Sequence, residues 1–183
     1  MGVFGFLRGG RQERAGYELY CQAVAAARDP YFYSVLGVPD TLDGRFDMVG
    51  LHAFLVIRRL QALPVPGPAL AQALFDAMFH DMDLNLREMG VSDLSVGKKV
   101  KQMWEAFHGR AAAYQGALAA GDAVLLAEAL RRNVWRGAAE APDPAHPAAL
   151  ARLALAQDAF LAGQAAADLL RGVVAFLPPA EAA

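Results

Sequence analysis

"RFDMVGLHAFLVIRRLQAL", residues 45–63, decides the fold. Wound as a helix, it puts Phe46, Val49, Ala53, Ile57 and Leu60 on one stripe and Met48, Leu51 and Leu55 on the opposite side. A helix that is apolar all round has no face to offer water and belongs at the centre of a bundle. The spacing predicts this central helix over about Arg45 to Leu63, ended by "PVPGP" at 64–68, which breaks helices in both directions. His52, set among these side chains, reads as a core histidine with a satisfied ring rather than a ligand.

Outward from this segment, apolar residues recur at helical spacing and no run alternates as a strand would. Upstream, a helix from about Ala15 to Arg28 carries Tyr17, Tyr20, Cys21 and Val24 inward. A short turn, "PYFYSVLG", follows, with Asp29 as N-cap, Pro30 in the first position and Gly37 as the stop. Downstream, a helix runs from about Pro68 to Met89 and ends at Gly90. Asp93 or Ser95 caps a long helix to Ala120, and Gly121-Asp122 breaks it. A helix over about Ala123 to Arg136, the proline-rich connection "GAAEAPDPAHP" and a last Ala-rich helix from Pro147 to about Phe176 complete the chain. Charged and amide side chains interrupt that last segment too often for a membrane span. The prediction is an all-α fold: one helical bundle of about six to seven helices over 15–177, with a flexible tail at 1–14 and another at 178–183.

The chain has 183 residues, 56% of them apolar, a formal charge of -2 and one cysteine. The near-neutral charge gives no field that would draw nucleic acid. A lone cysteine permits no internal disulfide and suits a reducing compartment; Cys21, on a helical pattern, reads as a small buried hydrophobe. The N-terminus lacks the pattern of a secretory signal. These features point to the cytoplasm. Phe4, Phe6 and Leu7 beside Arg8, Arg11 and Arg14 would suit a weak contact with the surface of the inner membrane.

Two polar clusters stand out. The first is "HDMDLNLREMG", 80–90. On a helix Asp76, His80, Asp83 and Arg87 form a stripe about 60° wide. Three readings fit it. Asp-x3-His-x2-Asp could hold zinc or iron, although helical-bundle iron sites draw on Glu-x-x-His pairs and this chain has none. The charges could simply be solvated, with Asp83 and Arg87 paired one turn apart. Or Asp81, Glu88 and Asp93 could pair with Lys98, Lys99 and Lys101 of "VGKKVK", making a rigid charged corner suited to docking. The second cluster is "PDTLDGRFD", 39–47. It lacks the glycines and lysine of a phosphate loop. Its local roles read as capping by Asp43 and the tying of loop carbonyls by Arg45. No nucleophile stands beside its carboxylates, so no catalytic residue is assigned.

Taken together, "FYSVLGVPDTLDGRFDMVGLHAFLVIRRL" and "LFDAMFHDMDLNLREMGVSDLSVGKKVKQMWEAFHGRAAAY" resemble the ubiquinol–cytochrome c chaperone family. The order of "PDTLDGRFD", "LH", "DMDLNLREMG" and "VGKKVK" carries the likeness, which covers about Tyr17 to Trp135. Ser92 and His108 depart from the usual pattern without removing a charged group. The resemblance implies a protein without enzymatic activity or cofactor, one that binds newly made cytochrome b and helps it into the bc1 complex. In mitochondrial members it further implies a small partner protein and a ribosome contact. The Ala/Arg/Gly-rich composition favours the bacterial branch, where the resemblance leaves both of those partners open. A chaperone for a membrane protein would hold apolar segments in a groove with charged rims. The candidate client-binding residues are Asp40, Asp43, Arg45 and Asp47 on one rim and Asp83, Arg87, Glu88, Lys98 and Lys99 on the other. They frame one site if the two loops share an end of the bundle. A metal-dependent enzyme using Asp76, His80 and Asp83, or a lipid or quinone carrier, are the alternatives.

Overall fold

The computed structural model describes residues 3–182, with side chains described over 10–180. Its element order is α1 (Val3–Ala27), α2 (Pro30–Ser34), α3 (Leu42–Gln61), α4 (Gly67–Glu88), α5 (Asp93–Ala120), α6 (Ala123–Val134), α7 (Ala145–Gly163), α8 (Ala166–Leu169) and α9 (Pro179–Ala182). No strand occurs among the described residues, and the fold is the expected all-α bundle.

The segment that is apolar on every side is the central helix. Thirteen of the twenty residues of α3 are buried, and α3 touches α1, α4, α5, α6 and α7. Met48, Leu55 and Leu60 lose all contact with water there, each burial favouring the fold by about 1.5–3 kcal/mol. Around α3, α1 lies along α4, α5 along α6, and α6 along α7.

Local chemistry sets the helix ends. Asp29 accepts from the N–H of Tyr31 at 2.9 Å and Pro30 opens α2, as the sequence predicts. Gly37 (φ 63°) then turns the chain, and its carbonyl accepts from Trp135 Nε1 at 3.0 Å, which ties this loop to the end of α6. The cap of α3 differs from expectation: Thr41, not Asp43, accepts from the N–H of Gly44. At the start of α5, Ser92 holds the cap position without bonding a backbone N–H.

Three further readings change. The backbone is helical from Val3, upstream of the predicted start at Ala15. The side chains of Phe4, Phe6, Leu7 and Arg8 lie outside those described, and the surface-anchor reading with them. In α1 the buried face is Ala15, Leu19, Tyr20, Ala23 and Ala27, while Tyr17 is exposed.

The single helix expected over 147–176 is three pieces. α7 stops at Gly163, and residues 173–178 run without helix. Three glutamines replace the lost backbone bonds. Gln22 donates to Gly172 O and accepts from Val174 N–H. Gln164 does both for Ala175, and Gln157 does both for Leu177. Arg59 of α3 donates to the carbonyls of Leu161 and Gln164 and so closes the end of α7. A buried backbone needs partners, and these side chains supply them. No described helix is long and apolar enough to cross a membrane.

Candidate functional site

Of the candidate residues, Asp43 and Lys99 line one cleft at an end of the bundle. The first turns of α3 bring Leu42, Asp43 and Phe46 to this cleft of about 340 Å³, whose other walls are Leu86 of α4, Lys99, Gln102, Met103, Ala106 and Arg110 of α5, and Arg136 just beyond α6. Leu42 and Phe46 also line a second hollow of about 170 Å³ on the α1–α4 side, with Tyr20, Met82 and Met89. Apolar side chains stay exposed around this end: Leu42, Leu84, Met89 and, at 97%, Leu94.

Asp47 anchors the cleft from below. Its side chain is almost fully buried, and it contacts Arg110 Nη2 at 2.9 Å through Oδ1 and Arg136 Nη1 through Oδ2. The Arg110 approach is an ion contact with poor hydrogen-bond alignment, so Oδ1 is the one buried side-chain oxygen among the described residues without a donor. Burial pushes the Asp47 carboxyl up to about 6, against the pull of the two guanidiniums; it stays ionised at neutral pH. Arg110 also lies 5.4 Å from the centre of the Phe46 ring. Phe46 is thus held between a cation and the core.

Asp47 is therefore an internal tie, not an exposed rim residue. Arg110 and Arg136 are the charged cleft residues that the sequence reading missed, and the apolar wall of Leu42, Phe46, Leu86 and Met103 is not assigned by it either. A signal for Arg110 exists: it lies on the same helical face as Phe107 and Tyr114, both buried. No comparable pattern marks Arg136.

The other candidates are distributed around this end. Asp43 is exposed on the cleft and stands 3.5 Å from Arg136. Asp40 and Arg45 bind each other at 2.6 Å, which holds the Asp40 carboxyl below its usual range. They face a neighbouring depression bounded by Arg28 and Tyr33. Asp83 pairs with Arg87 at 2.6 Å, one turn apart, as expected. Arg87 reaches on to Asp93, so one guanidinium links the end of α4 to the start of α5. That is how the corner is tied, rather than through the lysines. Asp81 instead accepts from Tyr20 at 2.5 Å, and Lys101 faces Glu105 at 3.7 Å. Glu88, Lys98 and Lys99 are exposed, and no ion pair involves them among the described residues. Lys99 lines the cleft.

The metal reading finds no geometry. Asp83 is occupied by Arg87, and Asp76 accepts from Gln72 at 2.7 Å. Among the described residues no three His, Cys, Asp or Glu side chains converge. His52 is buried, with Nδ1 2.8 Å from Met48 O and its ring beside Phe32 and Phe176. Burial lowers its pKa to about 4, so the ring is neutral.

The ubiquinol-cytochrome C chaperone family profile matches residues 34–176, both clusters and the whole cleft included. The match reaches beyond Trp135, where the motif likeness ends, and takes in Gln157 and Gln164. Ubiquinol-cytochrome-c reductase complex assembly factor 1 of Xenopus laevis is 24% identical over 120 residues, covering 66% of this chain and 60% of that protein. The mitochondrial protein CBP3 of Saccharomyces cerevisiae is 29% identical over 152 residues, 81% of this chain and 45% of that one. The chain thus spans about half the length of these curated relatives. The crystal structure of the Cbp3 homolog from Brucella abortus superposes with a TM-score of 0.84 at 35% identity, covering 97% of both chains.

Proposed function

Because this chain belongs to the ubiquinol-cytochrome C chaperone family, we propose that it is an assembly chaperone of the bc1 complex. In this reading it binds newly made cytochrome b and does no chemistry. The observation that carries the reading is the cleft between α3, α4 and α5. Phe46, Leu86 and Met103 give it apolar walls, and Asp43, Lys99, Arg110 and Arg136 give it charges of both signs. Apolar walls take up area from an amphipathic segment, while charges choose its register. The exposed Leu42, Met89 and Leu94 beside the cleft extend the apolar surface.

The remaining candidate residues have supporting parts. Asp83 and Arg87 hold the α4–α5 corner through Asp93, Asp40 and Arg45 brace the loop before α3, and Asp47 fixes the cleft arginines. Glu88 and Lys98 serve as outer rim contacts. A surface braced in this way has little ordering entropy left to lose on binding. The protein would work on the cytoplasmic side, peripheral to the inner membrane that receives its client.

The test is deletion of the gene in the source organism. Assembled bc1 complex, read from the reduced-minus-oxidised haem b spectrum and by native gel, should fall and return on re-expression. Leu42→Asp, which puts a charge on an exposed wall of the cleft, should fail to restore it although it folds. A deletion strain with unchanged bc1 complex refutes the function.

A further inference from the structure

Arg110 is an unusual wall for a cleft that holds apolar segments. Its side chain is only 12% exposed, and its one charged contact among the described residues is the misaligned Asp47 oxygen at 2.9 Å. No hydrogen bond of good geometry is made by its guanidinium among the described residues. Guanidinium carries five N–H donors in a fixed fork and binds carboxylates through two at once. Such a group, largely withdrawn from water, keeps donors without a hydrogen-bond partner among the described residues and lines the cleft.

The charge count points the same way. Lys99, Arg110 and Arg136 line the cleft, and Asp43 is the one carboxylate lining it. Asp47 lies beneath and is shared between the two arginines. The lining therefore carries an excess of positive charge, although the whole chain has a formal charge of -2. Apolar walls around a cationic floor complement an amphipathic segment that carries an acid, and they disfavour one that carries a lysine at the same place.

We propose that the cleft selects a polypeptide segment presenting an aspartate or glutamate among apolar side chains, with the carboxylate seated on Arg110 and Arg136 and the apolar neighbours against Phe46 and Met103. This rests on the reading of the cleft as the client site and specifies the chemistry of what enters it. Lys99, exposed on the rim, steers the acid inward and adds a salt dependence to binding.

The experiment uses the full chain in cells that make bc1 complex, with Gln102→p-benzoyl-phenylalanine as a photo-probe inside the cleft. Irradiation followed by peptide mapping should place the adduct on a bc1 subunit, within one helical turn of an aspartate or glutamate in an apolar segment. Adding Lys99→Glu should lower the adduct yield at least tenfold, and Lys99→Arg should preserve it. Arg110→Lys, which keeps the charge that Asp47 needs but loses the fork, should also lower it. Changing the mapped acid of the client to lysine should abolish capture by the wild-type chain, because Arg110 and Arg136 repel it. An adduct on a segment without a carboxylate, or a yield indifferent to Lys99→Glu, overturns the acid rule and leaves the chaperone reading standing. An adduct on a lipid overturns the choice of a polypeptide. Capture of the client from a probe at Leu94 but none from Gln102 overturns the cleft itself. Loss of the chaperone reading would show separately, as bc1 levels independent of the gene.

Discussion

Asp47, in the second turn of α3, and Arg136, just past α6, are in direct contact across eighty-nine residues of sequence. With Arg110 of α5 completing the set, one carboxylate fastens three elements at the mouth of the cleft. The contact joins packing to function, because the same guanidiniums that neutralise Asp47 form the floor on which a partner would sit.

Removing that carboxylate should be costly. Asp47→Ala leaves Arg110 without a charged partner among the described residues and Arg136 with only the exposed Asp43 at 3.5 Å. A broken buried pair costs about 3–5 kcal/mol; with Arg136 still a third exposed, the lower end is expected, about 3 kcal/mol. Urea unfolding at pH 7 reads it. A loss below about 1 kcal/mol would mean that the tie carries no weight in the folded state.

The pH dependence separates two buried groups of opposite sign. His52 is lowered to about 4 by burial. Below its ordinary value near 6.5 the unfolded chain takes up a proton that the folded chain refuses, so stability falls as pH drops from 6.5 to 4. Over that shift the loss is about 3 kcal/mol. Asp47 is raised to about 6, so between its ordinary value and 6 the folded chain holds the extra proton. That contribution favours the fold in acid and is lost as pH rises. The wild type should therefore look flat where the two overlap. The stability difference between wild type and His52→Leu should shrink by about 3 kcal/mol from pH 7 to pH 4, measured by denaturant unfolding. A constant difference would show that the ring titrates normally.

The sequence makes α3 legible because burial on every side leaves an unmistakable pattern, and most helix ends because glycine, proline and Asp29 act locally. The cap of α3 is misjudged because Thr41 and Asp43 are both competent, and only the backbone decides between them. The site is legible as two clusters but not as a cleft, since Arg136 reaches it from a distant helix end. Asp47 itself gives a clue. A carboxylate flanked by Phe46 and Met48, with Leu51 one turn on, must find a cation.

Close approach of α1 and α4 predicts a matched pair of glycine variants. A Cβ built on Gly16 would lie 2.7 Å from the carbonyl carbon and the Cβ of Ala73. Neither atom can swing aside, so Gly16→Ala should force the helices apart and cost about 1–3 kcal/mol. Gly116, exposed in α5, has nothing within 4 Å of such a Cβ. Gly116→Ala should stabilise by up to about 1 kcal/mol from helix propensity alone. Thermal unfolding of both variants against wild type checks the pair. A Gly16→Ala variant as stable as wild type would contradict the close packing of α1 on α4.

The three-glutamine clamp explains why the helix expected to Phe176 does not continue unbroken past Gly163, and it makes a prediction of its own. An Ala-rich stretch would extend α7 on propensity alone. The chain instead leaves the helix at Gly163, and the side chains of Gln22, Gln157 and Gln164 satisfy the backbone at 172, 174, 175 and 177. Gln157 is buried and bonds both the N–H and the carbonyl of Leu177. Gln157→Leu keeps the bulk and orphans both groups, at about 1–3 kcal/mol for each group left unsatisfied. The loss should be local. Hydrogen exchange should speed up in 173–178 while α3 and α4 keep their protection. Gln157→Glu, which loses the donor and buries a carboxylate against the carbonyl of Leu177, should lose at least as much as the leucine variant at pH 7. If exchange in 173–178 is unchanged in Gln157→Leu, apolar burial of Val174 and Phe176 holds the segment instead, and the amide bonds are incidental to it.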